Sequence, residues 1–148
     1  MKTVESIKRT LTLNAPKEKV WEVLTKDEYT REWYKEFSEG SHAKSDWREG
    51  SKITFQDLSG QGIIGVITVL QPHEHLEFRY NGILNKGVED FESEEAVAVK
   101  GFKELYLIKE TDGVCTLKIE SDMNEEYVQM MEEAWDRALK VLKTLAEG

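Results

Sequence analysis

The chain reads as an α+β protein, an antiparallel sheet with helices on one face and a long helix at its end. Three observations predict this. Between positions 41 and 121, short runs alternate apolar and polar side chains, separated by turn residues. Val128, Met131, Trp135, Ala138, Leu142 and Leu145 then step by three and four, one continuous apolar stripe at helical period. The length of 148 residues, 39% of them hydrophobic, suits a single domain over 1–148 with a core of its own.

Each element follows from its local pattern. Residues 7–13 alternate, with Ile7, Leu11 and Leu13 on one side and Lys8, Thr10 and Thr12 on the other. Arg9 falls on the apolar side, so it either snorkels to an edge or meets something polar. Asn14-Ala15-Pro16 ends the strand and opens a helix, with Asn14 near the cap and Pro16 in the first turn. Val20, Trp21, Val23 and Leu24 give that helix its apolar face. A second short helix from about Asp27 carries Tyr29, Trp33, Tyr34 and Phe37, the densest aromatic cluster in the chain.

About five or six strands follow. Ile53 and Phe55 alternate with polar neighbours, and Ser59-Gly60-Gln61-Gly62 makes a turn. Residues 63–70 are apolar on both faces and belong inside the sheet. After a turn at Pro72-His73-Glu74, Leu76, Phe78 and Tyr80 alternate with Glu77, Arg79 and Asn81. Residues 102–109 and 114–121 form a hairpin around Thr111-Asp112-Gly113. Residues 81–100, with Glu89, Asp90, Glu92, Glu94 and Glu95, read as a long acidic loop, the length of a solvated lid or binding loop. Asp122 with Glu125, or Asn124 alone, caps the last helix, whose solvated face pairs Glu133 with Arg137 and Asp136 with Lys140.

Charge excludes several functions. With 20 Lys+Arg against 29 Asp+Glu the net charge is −9, which repels phosphate backbones, and no basic run offsets it. Nucleic acid is therefore not an expected partner. The longest apolar stretch, about 62–70, falls short of the ~20 residues of a membrane helix. The first five residues carry no leader-type apolar run, and the lone Cys115 excludes an intrachain disulfide or a cysteine-based zinc cluster. A cytoplasmic location is expected.

The chain resembles a known family at several points. Leu11-Thr12-Leu13-Asn14-Ala15-Pro16 followed by Val20-Trp21 is similar to the opening of the START-like, or SRPBCC, superfamily. The similarity is to the branch named after the activator of the heat-shock chaperone ATPase. Asp46-Trp47-Arg48-Glu49-Gly50-Ser51 resembles that branch's Trp-x-x-Gly entry into a strand. Gly65-Val66, Pro72 and Leu76-Glu77-Phe78 resemble its central hairpin, and Trp135, Leu139 and Leu142 its final helix. The resemblance covers nearly the whole chain. It implies a helix-grip fold, a curved antiparallel sheet wrapped around the C-terminal helix with a cavity between them. It also implies ligands such as lipids, sterols, hormones or polyketides, cyclase activity in some members, and chaperone contact. The eponymous co-chaperone's separate N-terminal domain has no counterpart in 148 residues, so ATPase activation is not expected from the name.

Within that frame the candidate site is an aromatic-lined pocket for a small apolar or lipid-like molecule. Trp33, Tyr34 and Phe37 would close one end, Phe55, Phe78 and Tyr80 come from the sheet, and Met131 and Trp135 from the helix. The plain alternative is that these side chains fill the core. Glu104 shares parity with apolar neighbours, as does Arg9. An inward Glu104 would orient a ligand, or act with Tyr80 or Tyr106 in a cyclase- or hydrolase-like reaction; otherwise it marks an edge or a bulge. A third reading is a co-chaperone-type interaction module docking through the acidic surface or the 81–100 segment. His73 and His75 flank a turn with no second ligand pair, so no metal is expected. Cys115 has no adjacent base. No phosphate loop, nucleophile elbow, dinucleotide fingerprint or calcium-loop spacing is present, so no cofactor is expected.

Overall fold

The computed structural model describes residues 3–148. Met1 and Lys2, part of the stretch read as lacking a leader, lie outside the described residues. The chain opens with β1 (Val4–Leu13), α1 (Lys17–Thr25) and α2 (Asp27–Tyr34). Strands β2 (His42–Ser45), β3 (Lys52–Gln56), β4 (Gly62–Gln71), β5 (His75–Asn85) and β6 (Val88–Asp90) follow, then helix α3 (Glu94–Val99). The chain closes with β7 (Lys103–Thr111), β8 (Val114–Asn124), a tight helical turn (Glu125–Tyr127) and α4 (Val128–Glu147). The strands pair antiparallel in the order β1-β8-β7-β5-β4-β3-β2, with β6 pairing on β5. This is the α+β, helix-grip-like arrangement that the sequence predicts.

Where the period is long, local pattern and structure agree. Along β1, Ile7 and Leu13 are buried while Lys8, Thr10 and Thr12 are exposed. Doubly apolar β4 lies inside the sheet, between β3 and β5. On α4, Trp135, Ala138 and Leu142 are buried as the stripe requires, joined by Ala134, Leu139 and Ala146. Asp112 and Gly113, both at positive φ (50° and 79°), make the two-residue turn between β7 and β8, a backbone that Asp tolerates and Gly favours.

Five expectations are corrected. Seven strands follow the two helices, because β2 and β6 have four and three residues and show too little alternation to detect. The 81–100 segment is not a loop. β5 runs on to Asn85, turns at Lys86-Gly87, returns as β6, and α3 begins at Ser93, whose hydroxyl accepts from the Ala96 amide at 3.2 Å. Gly82 hides the strand signal: the Phe91 ring lies where a β-carbon would sit, 2.6 Å away, so no side chain fits there. Two of its acidic side chains are engaged, Glu89 paired to Lys52 and Asp90 accepting from the Glu92 and Ser93 amides.

The helix ends also differ. Asn14 does not cap α1. Its amide donates to Glu147 Oε2 at 2.8 Å, and Pro16 stands at the cap. Asp122 stays in β8, accepting from Ser6 Oγ (2.6 Å) and the Lys103 amide (2.9 Å). Asn124 occupies the cap position of the tight turn without a side-chain bond. On α4 the two expected pairs do not form: Asp136 and Arg137 reach other elements, and within the helix Lys143 pairs with Glu147 at 2.7 Å. Asp136 and Glu132 hold Arg9 at 2.8 and 3.2 Å, and Arg137 faces Glu36. Arg9 on the apolar side of β1 therefore meets something polar, the carboxylates of the helix packed over its strand.

Candidate functional site

Helix α4 lies along β1 and against α1 and α2. Between its first two turns and the sheet lies a cavity of about 670 Å³. This accounts for a break in the stripe: Val128 and Met131 are only half-buried, whereas Ala138 and Leu142 are fully enclosed.

Aromatic packing builds one end. Trp33 is anchored by its indole N–H, which donates to the Val23 carbonyl at 2.9 Å and ties α2 to α1. From there rings meet edge to face: Trp33 with Tyr34 at 4.5 Å, Tyr34 with Phe55 at 5.7 Å, and Phe37 with Trp135 at 4.9 Å between centroids. Such pairs contribute about 0.5–1.5 kcal/mol beyond their buried area.

The sheet builds the other wall, and register decides which side chains meet. Phe78 and Ser121 each pair directly with Glu104, from β5 and β8, so Tyr80 is its diagonal neighbour on the same face. Tyr106 follows two residues after Glu104 on that face. Three hydroxyls therefore converge on one carboxylate. Tyr80 Oη donates to Glu104 Oε1 at 3.0 Å, Ser121 Oγ to the same oxygen at 3.4 Å, and Tyr106 Oη to Oε2 at 2.5 Å. Burial pushes the Glu104 carboxyl above the ordinary carboxylate range, although hydrogen bonds from Tyr106, Tyr80 and Ser121 pull it back. Burial, followed by the adjacent Glu104, also raises Tyr80 and Tyr106 well above the ordinary phenol value. Both hydroxyls stay protonated and donate to Glu104, leaving only their oxygen lone pairs for a further partner.

Trp135 stands out on the helix side. Its side chain is 2% exposed, and its indole N–H is the one buried side-chain polar atom without a hydrogen-bond partner among the described residues. An orphaned donor of this kind costs about 1–3 kcal/mol.

Of the ten side chains singled out from the sequence, Trp33, Tyr34, Phe37, Phe55, Tyr80 and Glu104 lie on the cavity wall, with Tyr106, Met131 and Trp135. Phe78 does not. It is 1% exposed and packs behind the wall, against Phe55 and Tyr106. Sequence reasoning missed Val99 and Phe102, which enter because 81–100 folds, and Ser121 and Met123, which continue the inward parity of Leu117 and Ile119. The period over 114–121 already contains Ser121, and extending it past 121 finds Met123. Tyr127 and Met130, exposed at the mouth, carried no signal.

The remaining candidates lie elsewhere. His73 packs on Trp21, His75 faces Glu77 at 3.3 Å and His42 the Gly40 carbonyl at 3.1 Å. Among the described residues no three metal-ligating side chains cluster. Cys115 is fully buried, and burial raises its thiol. No helix among the described residues is long and apolar enough to cross a membrane.

An antiparallel sheet against a long C-terminal helix, with a ligand-sized cavity between them, defines the helix-grip class. Residues 14–147 match the family described as Activator of Hsp90 ATPase homolog 1-like protein, and the chain belongs to that family. No curated protein sequence matches it. Solved structures show the same fold at low identity. Protein MLL2253 from Mesorhizobium loti is 13% identical with a TM-score of 0.74, over 95% of this chain and 96% of its own. The Aha1 dimer from Colwellia psychrerythraea is 18% identical with a TM-score of 0.73, over 97% and 96%. A conserved protein of unknown function from Enterococcus faecalis is 12% identical with a TM-score of 0.70, over 99% of this chain and 77% of that one.

Proposed function

We propose that residues 1–148 act as one unit that binds a small, largely apolar molecule in the cavity between the sheet and α4. The observation that carries this is the cavity itself. Its volume of about 670 Å³ falls within the ~300–1,000 Å³ typical of ligand sites. Its wall joins aromatic rings and methionines to one compact polar group around Glu104, the mixture that fixes a ligand's orientation. The wall residues include nine of those expected from the sequence, and we assign them the contact role. On the compositional grounds above, we place this binding in the cytoplasm.

A two-dimensional amide NMR titration against fatty acids, sterols, flavonoids and small aromatics tests the reading. The expected shifts cluster on residues 33–37, on Tyr80, Glu104 and Ser121, on Val99 and Phe102, and on the start of α4. A silent panel with a dispersed spectrum overturns it. Family membership favours one second reading, contact with a chaperone, for which a pull-down with Hsp90 is the test. Retention of the purified chaperone at an exposed face, with the cavity resonances unmoved, would support it.

A further inference from the structure

We propose that the cavity selects a cation, an amine-bearing apolar molecule whose ammonium group lies against Glu104 among the aromatic rings. This rests on the reading that the cavity binds a small molecule, and adds the ligand's charge class.

The wall is one-signed. It carries three carboxylates, Asp57, Glu104 and Asp122, and no Lys, Arg or His among the described residues. Two of the three are engaged locally. Asp57 accepts from Ser38, and from the hydroxyl and amide of Ser59; Asp122 accepts from Ser6 and the Lys103 amide. Glu104 is different. Its partners are the neutral hydroxyls of Tyr80, Tyr106 and Ser121, and no cation of the described residues pairs with it. An ionised carboxylate in so apolar a setting lacks a counter-charge, and an entering ammonium supplies one.

The surroundings suit the same group. Tyr80 and Tyr106 use their O–H groups as donors to Glu104, so to a ligand they offer only acceptor lone pairs, which an N–H can use. Nine aromatic side chains line the cavity, Trp33 and Trp135 among them, and ring faces attract cations. The positive N-terminal end of α4 comes to the mouth and would favour an anion, but Glu125 and Glu126 precede it and offset that field. The net charge of −9 draws cations toward the protein as a whole. A fatty acid or other carboxylate could take the Trp135 indole N–H, but would bring a second negative charge into a wall with no cation to balance it.

Three probes sharing one hydrocarbon skeleton separate charge from burial: phenylbutylamine, phenylbutanol and phenylbutyrate, titrated by calorimetry and by amide NMR at neutral pH. The expected order is amine first, by about tenfold or more over the alcohol, with the carboxylate weakest. In Glu104→Gln the amine is expected to lose its lead over the alcohol. The wild-type order alone decides the matter if that variant fails to fold. Equal binding of amine and alcohol, or a lead for the carboxylate, overturns the charge assignment and leaves the cavity reading standing. The charge assignment also falls if these three fail to bind while uncharged members of the wider panel shift cavity resonances. Silence from the three and from the panel removes both.

Discussion

Replacing Trp135 tests whether one side chain both joins α4 to the sheet and faces the cavity. A buried Trp hides about 150–250 Å². At about 25 cal/mol per Å² that is roughly 4–6 kcal/mol against an extended chain, a reference that overstates burial by about 10–40%. Truncation to Ala also removes the edge-to-face contact with Phe37 at 4.9 Å and the looser ones with Trp33 and Tyr106. Two features of the site work the other way. The orphaned indole N–H disappears, returning about 1–3 kcal/mol. The space left behind also joins an existing cavity rather than opening a sealed void. The expected loss for Trp135→Ala is therefore about 3 kcal/mol, the bottom of the ~3–5 kcal/mol range for large aromatic truncations. Trp135→Phe keeps a ring, sheds the unpartnered donor, and is expected to stay within about 1 kcal/mol of the parent. Urea unfolding followed by far-UV circular dichroism measures both, as a midpoint lower by about 1–2 M for Ala with the slope unchanged. A loss under about 1 kcal/mol for Ala would show that Trp135 does not carry the packing of α4. A loss above about 2 kcal/mol for Phe would mean that the indole N–H has a partner, and the orphan argument would fall.

Two further outcomes are expected. Because burial raises the Glu104 carboxyl above its ordinary 4.5, the unfolded chain releases that proton at lower pH than the folded chain does. The group's contribution to stability therefore falls as pH rises from 4.5 through its folded value, then levels. Glu104→Gln should gain on the parent across that window in urea melts at stepped pH; a difference that stays flat counts against the assignment. Glycine changes should rank by what a β-carbon meets. At Gly62 it would lie 1.8 Å from the Phe55 carbonyl oxygen, on the rigid β3 backbone, whereas at Gly113 (φ +79°) nothing lies within 4 Å. Expected costs are about 3 kcal/mol for Gly62→Ala, through forced separation of β3 and β4 at the cavity rim, and about 1 kcal/mol for Gly113→Ala, from backbone strain alone. The reverse order in denaturation midpoints would refute the steric account.

The sequence by itself determined what depends on short-range period. Alternation placed Ile7 and Leu13 on one face of β1, and the three-four stripe of Trp135, Ala138 and Leu142 made α4 amphipathic. Parity alone put Glu104 and Tyr106 on one face of β7, and Asp112-Gly113 marked the turn that follows that strand. These follow from chain stereochemistry within a few residues. Tertiary structure decided everything that depends on register and on where packing stops. Cross-strand pairing of β5, β7 and β8 brought Tyr80 and Ser121 onto Glu104, a meeting invisible in a sequence where they lie 24 and 17 positions away. Phe78 and Tyr80 share parity, yet one backs the wall and the other lines it, because the Phe55 and Tyr106 rings cover Phe78. The 81–100 segment became strand and helix once Phe91 could cover Gly82. Arg9 found its carboxylates on a helix more than a hundred residues on. In each case the deciding energy comes from groups distant along the chain, so no local pattern records it.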